Sequence, residues 1–97
     1  MFVVILNYKK PLADVDRFVE EHRRFLEHHY QAGHFLLSGR KEPRTGGVIL
    51  ANVETRTEME GLVQTDPFYR EGIADYEIIK FLPSMSAPML EALLERS

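Results

Sequence analysis

The side chains of this sequence that could do chemistry are few: four histidines, one Asp-Pro step at Asp66-Pro67, a serine before a glycine at Ser38-Gly39, and the tyrosines Tyr30, Tyr69 and Tyr76. His22 is the most informative, because an imidazole stands there in a row of positions otherwise given to apolar side chains. Two roles suit it. A polar ring on a buried stripe can be a core histidine bonded to a backbone carbonyl. It can equally be a general acid/base, since a partly buried imidazole titrates near neutrality and a carboxylate can orient it. Asp66 is the best such carboxylate, and it too has a second role: Asp-Pro is what an N-cap followed by proline at the first helical position looks like. Ser38 could turn its hydroxyl toward a cleft or be a plain turn residue.

Other chemistries find less support. No G-x-S-x-G elbow is present, which argues against Ser-His-Asp hydrolysis. His28, His29 and His34 raise the question of a metal, but with no H-E-x-x-H or Cys/His framework they read as solvated histidines, and no metal or other cofactor is expected. Gly46-Gly47 is too short for a phosphate cradle and is followed by no helix, so it reads as a turn. Phe68 and Tyr69 read first as packing residues, Phe68 standing close enough to Asp66 to be counted with the substrate-binding set.

The elements that must position these residues follow from periodicity. Met1 to Tyr8 is a strand with apolar residues on both parities, the mark of a central strand covered on both faces. From Leu12 to Ala32 the period becomes helical, and Val15, Phe18, Val19, His22, Phe25, Leu26 and His29 form one buried stripe that Gly33 stops. His34 to Arg40 is a second strand, residues 41–47 a turn marked by Pro43 and Gly46-Gly47, and Gly47 to Val53 a third strand. Thr55 to Glu58 matches a capping box opening a helix to about Thr65, Pro67 ends it, and Phe68 to Gly72 is a tight turn or short helix. Ala74 to Leu82 is a fourth strand. Residues 83–88 form a linker, and Met89 to Arg96 a short amphipathic helix with the stripe Met89, Leu90, Leu93 and Leu94.

The order βαββαβ predicts an α+β fold, the ferredoxin-like arrangement of an antiparallel four-stranded sheet with both crossover helices on one face. The opposite face then needs a cover larger than the tail helix can give, so a homodimer with facing sheets is expected. The tail stripe suits that partner subunit better than a membrane, as it carries no basic face.

At 97 residues the chain has room for one core. Hydrophobic residues at 44% and charged residues at 28% place it among ordinary globular domains rather than disordered or membrane proteins. A net charge of −3 argues against nucleic acid as the main partner. There are no cysteines, which removes disulfides and thiolate chemistry together and fits the cytoplasm. The start MFVVILNYKK has no basic leader segment, and no stretch is apolar enough to span a bilayer.

Taken together, His22-Arg23-Arg24-Phe25-Leu26, Gly33, Leu36-Leu37-Ser38-Gly39 and Asp66-Pro67-Phe68 resemble the YciI-like (YCII-related) family over roughly Met1 to Leu82. The resemblance implies a ferredoxin-like dimer of the dimeric α+β barrel type over residues 1–82. Residues 83–97 lie outside it as a linker and helix available for dimer contact. It also implies a cleft containing His22 and Asp66, with Ser38 and Gly39 in its wall. One characterised relative is a dehydrochlorinase acting on a chlorinated hydroxyquinol. Members often continue Ser-Gly with proline, whereas this chain has Arg40, and an arginine at the cleft edge favours an anionic ligand.

Three functions are then in play. The first is a small cofactor-independent enzyme, lyase-like (dehydrochlorinase-like) or an isomerase. In it His22 is the general acid/base for a small cyclic or aromatic metabolite, Asp66 fixes its tautomer, and Ser38, Gly39, Arg40 and Phe68 contact the substrate. The second is a dimeric small-ligand-binding module without turnover. The third is a cofactor-independent monooxygenase of the dimeric α+β barrel class.

Overall fold

The computed structural model of the chain describes residues 1–94. Four strands, β1 (Phe2–Tyr8), β2 (Phe35–Arg40), β3 (Gly46–Ala51) and β4 (Ala74–Lys80), form one antiparallel sheet in the order β2-β3-β1-β4. Helices α1 (Leu12–Asp16) and α2 (Val19–Gln31) join β1 to β2. Helices α3 (Arg56–Val63) and α4 (Pro67–Arg70) join β3 to β4. This is the ferredoxin-like split βαβ plan. β1 and β3 are central, as their two-sided apolar pattern predicts.

The sheet divides its side chains by parity. Phe2, Val4 and Leu6 of β1 with Ile49 and Ala51 of β3 face the helices and are buried with Val15, Phe25, Phe35, Met59, Val63 and Phe68. The other face carries Leu37, Leu50, Val3 and Ile79 in one register row, with Val48 and Ile5 in the next. Leu37 there is 60% exposed.

The predicted single helix from Leu12 to Ala32 is two. Arg17 N–H and Phe18 N–H bond to the carbonyls three residues back, Asp14 and Val15, so the i to i−4 ladder is interrupted before His22 N–H resumes it onto Phe18. At the other end of α2 the expected stop holds. Gly33 has φ +80, with Gly33 N–H on the Tyr30 carbonyl and His34 N–H on the His29 carbonyl, a Schellman closure.

Three further expectations are corrected. Gly46 and Gly47 belong to β3 rather than to a turn, and at Gly46 a Cβ would sit 1.8 Å from the Leu6 carbonyl oxygen. The fourth strand ends at Lys80 rather than Leu82, after which Phe81 N–H still reaches the Met1 carbonyl. In place of an amphipathic tail helix, Pro88–Leu93 forms a 3₁₀ segment with no buried residue, and the end of the expected helix lies outside the described residues.

Candidate active site

The Thr55 hydroxyl caps α3 by accepting from Glu58 N–H at 3.1 Å, and α3 delivers the chain to Asp66. Proline at the first position of α4 leaves Asp66 extended, with φ −74 and ψ 129, so that its Oδ1 accepts from Phe68 N–H at 3.0 Å. The same oxygen accepts from His22 Nδ1 at 2.9 Å, and Oδ2 accepts from the Tyr76 hydroxyl. Asp66 is 0% exposed. A carboxylate offers only acceptors, and here three donors converge on it, so the buried group is satisfied as a carboxylate. Its two readings in sequence are therefore not rivals: it is both cap and partner to the histidine.

That network assigns the imidazole's tautomer. Asp66 Oδ1 can only accept, so Nδ1 carries a hydrogen, and in the neutral ring the lone pair is the one on Nε2. The bland role, a bond to a backbone carbonyl, is not what holds His22. Its ring lies parallel to Phe68 at 4.1 Å between centroids and 5° between planes. The side chain is 17% exposed, the remaining opening being onto a cleft. Tyr76 is half-buried beside Asp66, and both desolvation and the neighbouring charge push its phenol well above the ordinary value, so it stays a donor.

The cleft has a volume of about 290 Å³, the size of a small-ligand pocket. It runs between α2 and the helix-facing side of β1, β3 and β2. His22, Val19 and Leu26 come from α2, Leu6 and Tyr8 from β1, Ile49 from β3, and Phe68 closes one end. Ser38 and Arg40 alternate with Gly39 along β2, and all three line it. The Ser38 hydroxyl is hydrogen-bonded to the Tyr30 hydroxyl. Every residue singled out for the site thus meets here, with Asp66 behind His22 rather than on the cleft surface. Tyr69, by contrast, is exposed and packs edge-on to Tyr76.

Tyr8 and Arg44 escape notice in the sequence, and Tyr76 is singled out there without its link to Asp66. Tyr8 continues the Phe2, Val4, Leu6 parity, and Tyr76 follows Ala74 two residues on, so strand alternation alone places both rings toward the helices. Arg44 had no local signal, being brought to the cleft by the β2–β3 connection. Of the other histidines, His28 is exposed as expected, whereas His29 and His34 are corrected. His29 is only 5% exposed, its Nδ1 lies 3.1 Å from Nδ1 of the half-buried His34, and burial with the nearby His28 and His34 lowers its pKa. The closure at Gly33 brings this pair together. Among the described residues no three His, Asp or Glu side chains converge as metal ligands.

None of the curated protein sequences matches the chain. Among solved structures it is similar to the 5-chloro-2-hydroxyhydroquinone dehydrochlorinase of Burkholderia phenoliruptrix AC1100 in complex with 2,5-dihydroxybenzoquinone. That match has a TM-score of 0.71 and 18% identity over 86% of this chain and 95% of that one, a likeness of fold. The YCII-related domain matches residues 1–82, and the chain belongs to that family.

Proposed function

We propose that the cleft is the active site of a small cofactor-independent enzyme acting on a cyclic or aromatic metabolite by proton transfer coupled to elimination or isomerisation. The observation that carries this is the His22–Asp66 hydrogen bond at 2.9 Å beside an open cleft that His22 lines, which assigns Nε2 of the neutral ring the role of base. Nε2 takes a proton from an acidic O–H or C–H of the substrate, and the electron pair released moves into the ring system. In elimination a leaving group departs with an electron pair; in isomerisation the imidazolium returns the proton at another ring atom. Asp66 stabilises the imidazolium without taking its proton, and Tyr76 and Phe68 N–H hold Asp66 in place. Placement of such a base contributes about 10² to 10⁴ in rate. The dehydrochlorinase of similar fold, whose named reaction is an elimination from a hydroxylated ring, supports this choice of chemistry.

The test has two arms. His22 is titrated by NMR in the wild type and in Asp66→Asn, where a changed titration midpoint is expected and an unchanged one refutes the coupling. A panel of ring substrates is then compared between wild type and His22→Ala. Turnover that survives in His22→Ala refutes the general-base role, and binding without turnover in the wild type would make the protein a ligand-binding module. Oxygen uptake with phenolic substrates would instead favour a monooxygenase.

The apolar face carrying Leu37, Leu50, Val3 and Ile79 fits a second copy of the chain, sheet against sheet, and the exposed Met89 and Leu90 of the tail segment are available as further dimer contacts.

A further inference from the structure

The cleft has an electrostatic character that acid/base chemistry at His22 does not use. Three arginines, Arg23, Arg40 and Arg44, are among its lining residues, and among the described residues no Asp or Glu is. Two of the three are already partnered outside it: Arg23 with Glu20 at 3.3 Å and Arg44 with Asp16 at 2.5 Å. Arg40 has no ion-pair partner among the described residues. The sheet register explains where it stands. Ser38 pairs with Ile49 and Arg40 with Gly47, so both side chains rise on the helix-facing side, and the glycine opposite Arg40 places no side chain in its way. The wall beyond is apolar, built from Leu6, Leu26, Ile49 and Phe68.

A pocket with an apolar wall and an unpartnered cation in its lining is complementary to an amphiphilic anion. Its volume of about 290 Å³ suits a compact, single-ring ligand. The planar fork of a guanidinium matches a carboxylate in a bidentate pair. We propose that the cleft takes monocyclic compounds bearing a carboxylate, with the ring against Val19 and Leu26 and the carboxylate on Arg40. This rests on the cleft being a small-molecule site, though not on turnover by His22.

The experiment compares 2,5-dihydroxybenzoate with hydroquinone, the same ring without the carboxylate, by calorimetry and by NMR shifts of the His22 ring and the arginine side chains. The wild type binds the carboxylate at least about tenfold more tightly, and added salt narrows the gap. Arg40→Gln removes most of that preference, and Arg40→Lys keeps part of it. Equal binding of the two rings by the wild type, binding of neither, or a preference that survives Arg40→Gln overturns the proposal. Tighter binding of phenyl phosphate than of the carboxylate overturns the assignment of the anion. Equal binding with an Asp66-dependent titration of His22 would sink the carboxylate subsite and leave the acid/base function standing. The reverse pattern would do the opposite.

Discussion

Asp66→Ala removes the acceptor on which three elements meet, and the cost can be worked out from its partners. The loss of an N-cap costs about 1 kcal/mol. Truncation also strands the hydroxyl of the half-buried Tyr76, and a buried donor left without its acceptor costs about 1–3 kcal/mol. His22 Nδ1 loses its acceptor too, but that ring borders the cleft and can turn toward water, so its share is smaller. Together these give about 3 kcal/mol, a large part of the 5–15 kcal/mol that holds a typical domain folded. Asp66→Asn should cost less, about 1–2 kcal/mol. Its carbonyl oxygen can still accept from Phe68 N–H and His22, and the Tyr76 hydroxyl can turn to accept from the new amide. Urea unfolding followed by circular dichroism measures both, with an unchanged m-value as the check that only stability has moved. A double-mutant cycle with His22→Ala isolates the pair. The account fails if Asp66→Ala costs under about 1 kcal/mol, if Asn is as damaging as Ala, or if His22 and Asp66 prove additive, for then the carboxylate does not join α2, α4 and β4 as described.

Two further perturbations probe regions away from the dyad. His29 is held neutral in the fold by burial and by His28 and His34, with Asp66 pulling weakly the other way, so its folded pKa lies below the ordinary 6.5. The unfolded chain therefore binds the proton more readily. The contribution is complete above about pH 7 and is lost as pH falls below 6.5. His29→Phe should accordingly lose less stability between pH 7.5 and pH 5.5 than the wild type does, and an equal loss would assign the acid sensitivity elsewhere. On the outer sheet face, Leu37→Lys places a charge in the row with Leu50, Val3 and Ile79. Sedimentation at micromolar concentration should show a wild-type dimer and a variant monomer with unchanged circular dichroism, and a monomeric wild type would refute the pairing of faces.

Much of this was legible because two periods, 2 and 3.6, are written plainly into β1, β3 and α2. The parity of Phe2, Val4 and Leu6 located the core, and the stripe through Val19, His22, Phe25 and Leu26 located the helix face. What escaped follows from interactions that no local pattern encodes. The interruption after Asp16 is a choice between i to i−3 and i to i−4 bonding that differs by little per residue. Gly46 looked like a turn because glycine is ordinary there, whereas its reason is the Leu6 carbonyl on a strand far away in sequence. His29 fell on the buried stripe yet looked solvated beside His28. Its partner His34 reaches it only through the left-handed step at Gly33.

The same limit explains why Asp66 could be read two ways and why the fold needs both. A buried carboxylate beside a histidine would be free to rotate away from it unless something fixed its plane. The proline at 67 and the N–H of Phe68 do so from one side, and Tyr76 does so from the other. Capping is thus the means by which the carboxylate is aimed, and Phe68, which supplies the capped N–H, is also the ring on which His22 lies flat. One short segment, Asp66-Pro67-Phe68, fixes both the tautomer of the imidazole and its plane. Among single substitutions, Tyr76→Phe separates these functions best. It leaves the cap and the stack in place while freeing one oxygen of Asp66, so a shift in the His22 titration there, without loss of the Phe68 contact in NMR, would show that the aim of the carboxylate and not its mere presence sets the histidine's chemistry.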